Sequence, residues 1–381
     1  MKKKIITERI GSLIIEKVGE LIISVILFRF FNAHAHLREG DLMSDVIPFS
    51  AYYKYVVAMG NTKQPIITGD DAVSYYQEIQ KRKPKFKPLL TIMLTNKTTV
   101  ETVRDAYAKG VRIVKLIPAG TSINSKAGVK LYRLKEKYDV FREMVRLEMI
   151  FSIHVELIVD PRTGKEIHPL KREIRGIPYL AQLIKDFPDL YITVEHASTR
   201  ALINFVKSCS LRVRATLTIH HATRTYEIGL YKNGKVKNPI FHCLPCLKSL
   251  DDMMAVREAM VSDDEHFMFG TDDAPHRNYL KNDPLTAPAG ISTPSIVAIP
   301  KTVEIFINAD KLENLQGFAW QRAISHYGRI KNSGERVCDI NVIGCKKIKV
   351  IRRLWTVAGS YNDIVPLFAG KILPFQIETK K

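Results

Sequence analysis

Eight short, β-rich apolar runs alternate along this chain with segments of helical periodicity. The runs centre on Leu21–Phe31, Tyr55–Met59, Leu89–Leu94, Val111–Lys115, Met149–His154, Leu190–His196, Arg214–His220 and His266–Gly270. Between most of them lie amphipathic stretches: Ala72–Arg82, Val100–Lys109, Tyr132–Leu147, Ile177–Asp186, Arg200–Ser208 and Leu250–Val261. Their apolar residues recur at helical spacing. Parallel strands need crossover connections, and helices supply them. The alternation therefore predicts an α/β fold, a parallel (β/α)8 TIM barrel rather than an open sheet.

Five of these runs end in a residue suited to a metal site. His34 and His36 close the first, in LIISVILFRFFNAHAH. Lys115 closes VRIVK, His154 closes MIFSIH, His196 closes LYITVEH and Asp272 closes HFMFGTD. Side chains alternate along a strand, so a His-x-His pair presents both imidazoles to one side of the sheet. Neutral imidazole and carboxylate oxygen are good zinc ligands. In a barrel the ends of all strands gather at one mouth, where the βα loops also meet. One such histidine would be unremarkable; the same signal from five strands predicts a metal centre at that mouth.

Length and composition fit this picture. The 381 residues suffice for one large barrel with insertions, or for two ordinary domains. The organisation expected is a single barrel domain over residues 1–381. Residues 1–20 form an added strand or helix packed on it. The part from about Ser295 to Lys381 is further decoration, with a helical stretch Lys311–Tyr327 and strand-like segments Lys346–Trp355 and Ile364–Ile377. The five cysteines are too sparse for a disulfide framework, which favours a reducing, cytoplasmic setting. Cys243 and Cys246 form a C-x-x-C with no second pair nearby, a weak signal for metal or redox chemistry.

The apolar run near Leu21 is too short to span a membrane, which takes roughly 20 apolar residues. Arg29 interrupts it, and the charged stretch Glu8–Glu20 separates it from MKKK, so it does not read as a signal peptide. The formal net charge is +19, with basic runs at Lys81–Lys87 and Lys346–Arg353. No nucleic-acid motif accompanies them, so the expected partner is a small anionic substrate drawn in by the field, not nucleic acid.

Several segments together resemble the amidohydrolase superfamily and, within it, the single-function dihydroorotases of bacteria and fungi. They are AHAHLREGD (Ala33–Asp41), VVAMGNTKQPIIT (Val56–Thr68), KLIPAGTSINSKAGV (Lys115–Val129), IHVE (Ile153–Glu156), VEHAST (Val194–Thr199), HCLPCLK (His242–Lys248), GTDDAPH (Gly270–His276) and VPLFAGK (Val365–Lys371). They span nearly the whole chain. The resemblance implies reversible hydrolysis of L-dihydroorotate to N-carbamoyl-L-aspartate, in pyrimidine synthesis. It also implies two Zn2+ ions. His34, His36 and Asp272 would bind one, and His154 and His196 the other. Lys115, carboxylated on its amine, and a hydroxide would bridge them. An ammonium has no lone pair, and burial at a strand end favours the nucleophilic free amine that carboxylation needs.

The resemblance assigns Asp272 the catalytic proton transfers. It assigns Arg38, Asn61 and His276 to the substrate carboxylate, and Leu244, Ala289 and Gly290 to further substrate contacts. A homodimer is expected on the same ground. The alternative is another cyclic amidohydrolase, such as a hydantoinase, a dihydropyrimidinase or an allantoinase. A neutral ring needs no carboxylate clamp, so Arg38, Asn61 and His276 favour the first reading. Three departures from the family pattern stand out. The segment before His34 reads FFN (Phe30–Asn32, ahead of Ala33), Asp273 stands where relatives commonly carry serine, and the loop after Lys115 has Ser122 and Ile123, with Thr121 one step earlier, where relatives carry adjacent threonines. His220 and His221 follow the seventh run and are expected to support the site or the fold without binding metal.

Overall fold

The computed structural model describes residues 5–120, 127–228, 231–232, 235–328 and 346–379. The loop positions Thr121, Ser122 and Ile123 lie outside them, as do Cys338, Cys345 and Met1 to Lys4.

The described chain opens with β1 (Ile6–Ile10), β2 (Leu13–Val18) and β3 (Leu21–Phe28), paired antiparallel in sequence. The parallel strands follow: β4 (Phe30–Ala35), β5 (Tyr53–Ala58), β6 (Lys87–Met93), β7 (Ile113–Leu116), β8 (Ile150–Ile153), β9 (Tyr191–Val194) and β10 (Val213–Leu217). A small hairpin, β11 (Tyr231–Lys232) and β12 (Lys235–Val236), precedes β13 (Phe267–Phe269). Two strands close the chain, β14 (Lys347–Thr356) and β15 (Ile372–Ile377).

Strands β4 to β10 and β13 form one sheet in the order β13-β10-β9-β8-β7-β6-β5-β4, with every ladder parallel. The ends of this sheet meet. The Asp272 amide donates to the His34 carbonyl at 3.0 Å, and the His36 amide to the Asp273 carbonyl at 2.9 Å. Just below, the Asn32 side chain donates to Thr271 Oγ1 at 2.8 Å and accepts from the Thr271 amide at 2.9 Å. The predicted (β/α)8 barrel is therefore the fold. Every residue of β4 is buried, as expected of a parallel strand covered on both faces. Helices Gly69–Lys81, Val100–Ala108 and Leu250–Val261 start at capping boxes built on Thr68, Thr99 and Ser249, which satisfy amides that the first helical turn leaves orphaned.

Inside the barrel, away from the mouth, Phe31, Tyr55, Ile113, Ile150 and Met268 pack with Trp320, Ala323 and Tyr327. The rings of Phe31 and Tyr327 stack at 5.1 Å, and those of Tyr55 and Trp320 at 5.9 Å. The helical segment Gly317–Tyr327 thus plugs the lower end.

Several boundaries differ from those expected. The run Arg214–His220 ends as a strand at Leu217, with His220 in the helix Ile219–Thr223, and the helix expected at Ile177–Asp186 begins at Pro169. The run Leu21–Phe31 is not one strand. It breaks at Arg29, whose guanidinium turns aside to the carbonyls of Ala51, Tyr52, Tyr53 and Lys85. Upstream of the break β3 leaves the barrel and joins a separate five-stranded antiparallel sheet, order β1-β2-β3-β14-β15. Residues 6–18 are two strands of this sheet, not a helix, and β14 seals it by pairing with β3. The predicted strand Ile364–Ile377 shortens to β15. Pro366 and Gly370 (φ +69°) precede β15, and the Leu367 amide goes to the Ser292 carbonyl at 2.7 Å instead of to a ladder.

Candidate metal centre and active site

All six ligand candidates sit at the C-terminal ends of barrel strands. His34 lies in β4 and His36 just past it, Lys115 lies in β7, and His154, His196 and Asp272 follow β8, β9 and β13. They line one cavity together with Arg38, Asn61, Ile117, Leu244, Ala274, Ala289 and Gly290. Of the twelve site residues read from the sequence only His276 does not line it; it stands behind Arg38 on the outer cleft. Gly270 lets the mouth close this tightly. A Cβ there would come within 2.7 Å of the Thr216 side chain and 3.3 Å of His34.

The ligand atoms fall into two groups. His34 Nε2 and His36 Nε2 each lie 3.2 Å from Asp272 Oδ1. His154 Nδ1 faces His196 Nε2 at 3.1 Å. The other nitrogen of two of these rings is held by a buried carboxylate. His34 Nδ1–H donates to Glu195 Oε2 at 2.7 Å, and His154 Nε2–H donates to Glu156 Oε2 at 2.8 Å. Such partners fix the tautomer and aim the remaining lone pair inward. Glu195 is itself held by Thr216 Oγ1 at 2.8 Å and by Ser152.

Electrostatics favour the ligating forms. Burial pulls His36 down to about 4 and also lowers His154 and His196, so these rings are neutral near pH 7. For Asp272, burial works against the charge, but His34 and His36 outweigh it and hold the carboxyl well below its usual range. Glu195 behaves alike: burial opposes ionisation, and Lys115 and His34 bring it down to about 2. Lys115 is 0 % exposed. Its amine has no hydrogen-bond partner, and its nearest anion is Glu195 at 3.8 Å. Burial lowers it to about 8.

This donor set fits metal ions. Buried imidazoles and a carboxylate converge, the outer nitrogens of His34 and His154 are anchored, and a buried amine and His196 Nδ1 lack partners. Backbone geometry marks the same place. Arg38, His196 and Asp272 adopt φ of +59°, +40° and +46°, a region that costs non-glycine residues on the order of 1–3 kcal/mol and persists where surrounding structure imposes it.

On the substrate side, Arg38 Nε donates to the Pro275 carbonyl at 2.8 Å, and Nη2 donates to His276 Nε2 at 3.0 Å. Burial depresses His276 to about 2, so the ring is neutral. Because Arg38 can only donate, His276 Nε2 is the acceptor, and the Ala289 carbonyl lies 3.1 Å from it with no hydrogen between the two. Asp273 accepts from Ser292 Oγ at 3.1 Å and the Thr293 amide at 2.8 Å. It therefore anchors the chain beyond Gly290 and stays out of the ligand ring; burial raises it to about 6.

A second group, His220, His221 and Cys243, also brings ligand-type atoms together. Both nitrogens of His221 are committed, Nε2–H to the Pro245 carbonyl at 3.1 Å and Nδ1 to Thr218 Oγ1 at 2.9 Å. The Cys243 thiol donates to the same carbonyl at 3.2 Å. Only His220 has free ring nitrogens, so this cluster reads as a packed support. Cys209, Cys243 and Cys246 are free thiols.

Glu195, Glu156 and Asn32 were not anticipated as site residues. Their signals stood in VEH, IHVE and FFNAHAH: a carboxylate or amide next to, or two residues from, a ligand at a buried strand end.

No protein-family model matches the chain. A dihydroorotase of Coxiella burnetii is 33% identical to it over 368 residues, covering 93% of this chain and 98% of that one. The structure of Saccharomyces cerevisiae dihydroorotase in complex with 5-fluoroorotic acid superposes with a TM-score of 0.83 at 28% identity, covering 93% of this chain and 98% of its own. L-Hydantoinase from Arthrobacter aurescens shares the fold at a TM-score of 0.74 but only 14% identity, over 96% and 89% of the two chains. Barrel and site together define an amidohydrolase-superfamily enzyme. Identity of 33% across almost the full length of both sequences makes the assignment narrower: the chain belongs to the dihydroorotase family. Among the described residues no helix is long and apolar enough to cross a membrane.

Proposed function

We propose that the protein interconverts L-dihydroorotate and N-carbamoyl-L-aspartate. The observation that carries this reading is the guanidinium of Arg38. It is fixed beside His276 and lines, with Asn61, the cavity that also holds the six ligand candidates. A ring bearing a carboxylate would be held there while its amide faces the ligands.

His34, His36 and Asp272 would hold one zinc ion, His154 and His196 a second, and carboxylated Lys115 would bridge them. Bound zinc supplies an activated water and polarises the scissile carbonyl. Carboxylation forms a bond between Lys115 Nζ and the carbon of carbon dioxide, with loss of one amine proton. Burial lowers the Lys115 amine to about 8, which keeps a useful fraction of it free at neutral pH.

Hydrolysis adds OH to the amide carbonyl carbon and H to the leaving nitrogen. Asp272 is ionised and faces the ligand ring. It takes the proton of the attacking water and returns it to nitrogen as the C–N bond breaks, acting as base and then acid. The Nε of Arg38 is committed to Pro275, so the substrate carboxylate would meet the Nη end of the fork. The new carboxylic acid ionises and releases a proton, so acid favours ring closure and alkali favours hydrolysis. The test is turnover in both directions at two pH values. Formation of N-carbamoyl-L-aspartate, shifting toward dihydroorotate at lower pH, supports the reading. Turnover of hydantoin or dihydrouracil, with none of dihydroorotate, would assign the neutral-ring activity instead.

A further inference from the structure

Lys281 ends the short helix Asn278–Lys281 and is 5 % exposed. Its Nζ donates to three backbone carbonyls: Gly290 at 2.8 Å, Pro288 at 2.9 Å and His242 at 3.1 Å. The ionisable groups acting on it are the Cys243 thiol and the Arg38 guanidinium, neither of them a carboxylate. An ammonium carries three donors, and here each meets a carbonyl. Burying a charge without a counter-ion is costly, so the placement calls for a geometric reason.

The three carbonyls come from two different loops. His242 leads into Leu244, and Pro288 and Gly290 flank Ala289; Leu244, Ala289 and Gly290 all line the cavity. The loops also touch directly. The Gly290 amide donates to the His242 carbonyl at 2.8 Å, and the His242 ring pairs with the Ala287 carbonyl at 2.8 Å. Gly290 sits at φ +146°, where a Cβ would strike the Ala274 carbonyl oxygen at 2.4 Å. The carbonyls of Pro288 and Gly290 turn to Lys281, while that of Ala289 faces His276. Asp273 pins the outgoing chain at Ser292 and Thr293.

We propose that Lys281 is a positioning residue whose ammonium knots the Leu244 loop to the Ala289–Gly290 loop, so that both backbones are set against the substrate ring as one unit. The role rests on the proposed use of Leu244, Ala289 and Gly290 as substrate contacts. Burial draws Lys281 down to about 7, while the converging carbonyl dipoles favour its charged form.

The test is Lys281→Met in the metal-loaded enzyme, read by hydrogen exchange and by kinetics. Amides in both segments, 242–244 and 289–291, should exchange about tenfold faster or more, while β8 keeps its protection. The KM for dihydroorotate should rise about tenfold, as expected for loss of charge-assisted hydrogen bonds, with kcat within about threefold and metal content unchanged. Unchanged exchange, or faster exchange in one loop alone, would overturn the knot. Faster exchange in both with unchanged KM would overturn the substrate role of these backbones and, with it, the positioning role. Exchange decides the knot even if dihydroorotate proves not to be the substrate. If Lys281→Met does not fold, Lys281→Gln, which keeps two donors, is measured in the same way.

Discussion

Glu195 Oε2 accepts the Nδ1 hydrogen of His34 at 2.7 Å, and this leaves His34 Nε2 aimed at Asp272. Glu195 thus orients a ligand without itself reaching the cavity. Glu195→Gln keeps the shape but removes the anion. Metal affinity should fall about 10–100-fold, the usual cost of losing such a partner. Competition against a graded chelator measures it, and an unchanged affinity would deny Glu195 this role.

Asp272→Asn keeps an oxygen that can face a metal but cannot shuttle a proton. It should retain much of its metal and lose about 10²–10⁴-fold in kcat, the range for general acid–base groups. Metal analysis and kcat on one preparation decide this, and near-normal turnover would move the proton transfers to another group.

Arg38→Lys should spare the metal centre yet impair dihydroorotate, because a lysine cannot copy the planar fork. A lost charge-assisted hydrogen bond is worth about 1.5–3 kcal/mol, or roughly ten- to a hundredfold in kcat/KM. Dihydrouracil, if it is turned over, should be affected far less. Equal losses on both rings would mean that Arg38 serves the fold and not the carboxylate.

His220 is 0 % exposed with both ring nitrogens unpartnered. Burial brings it from 6.5 to about 4, with Asp272 opposing and His34 assisting. The unfolded chain takes up this proton below about pH 6.5 and the folded chain only below about 4. Stability is therefore full above the higher value, falls as pH drops through the window, and has lost about 3 kcal/mol at its foot, at 1.36 kcal/mol per unit. Urea unfolding of metal-free protein at pH 7 and pH 4.5 should show a smaller acid loss in His220→Gln than in the natural protein. Equal losses would place the acid sensitivity elsewhere.

The barrel and its ligand ring were legible because both rest on short-range rules. Strand periodicity fixes which side His34 and His36 share, and a ligand at each strand exit needs no knowledge of distant pairing. The five-stranded sheet was not legible, because β3 meets β14 only through contacts more than 300 residues apart in the chain, Phe28 with Lys347 among them. Arg29 was read as an interruption of one strand. In the structure it is the break between two sheets, since the carbonyls that hold its guanidinium come from residues brought close only by folding. Glu195 and Glu156 lay beside ligands in the sequence, but a carboxylate next to a histidine becomes meaningful only once both are known to be buried.

The most direct measurement is a metal count and an assay of L-dihydroorotate hydrolysis on the same sample of protein, repeated for Lys115→Ala. The prediction is two zinc ions per chain with formation of N-carbamoyl-L-aspartate in the natural protein, and loss of at least one ion with most of the activity in the variant. Full metal content and turnover without the Lys115 amine would contradict the bridged centre. Two bound metals with no turnover of dihydroorotate would contradict the assigned reaction.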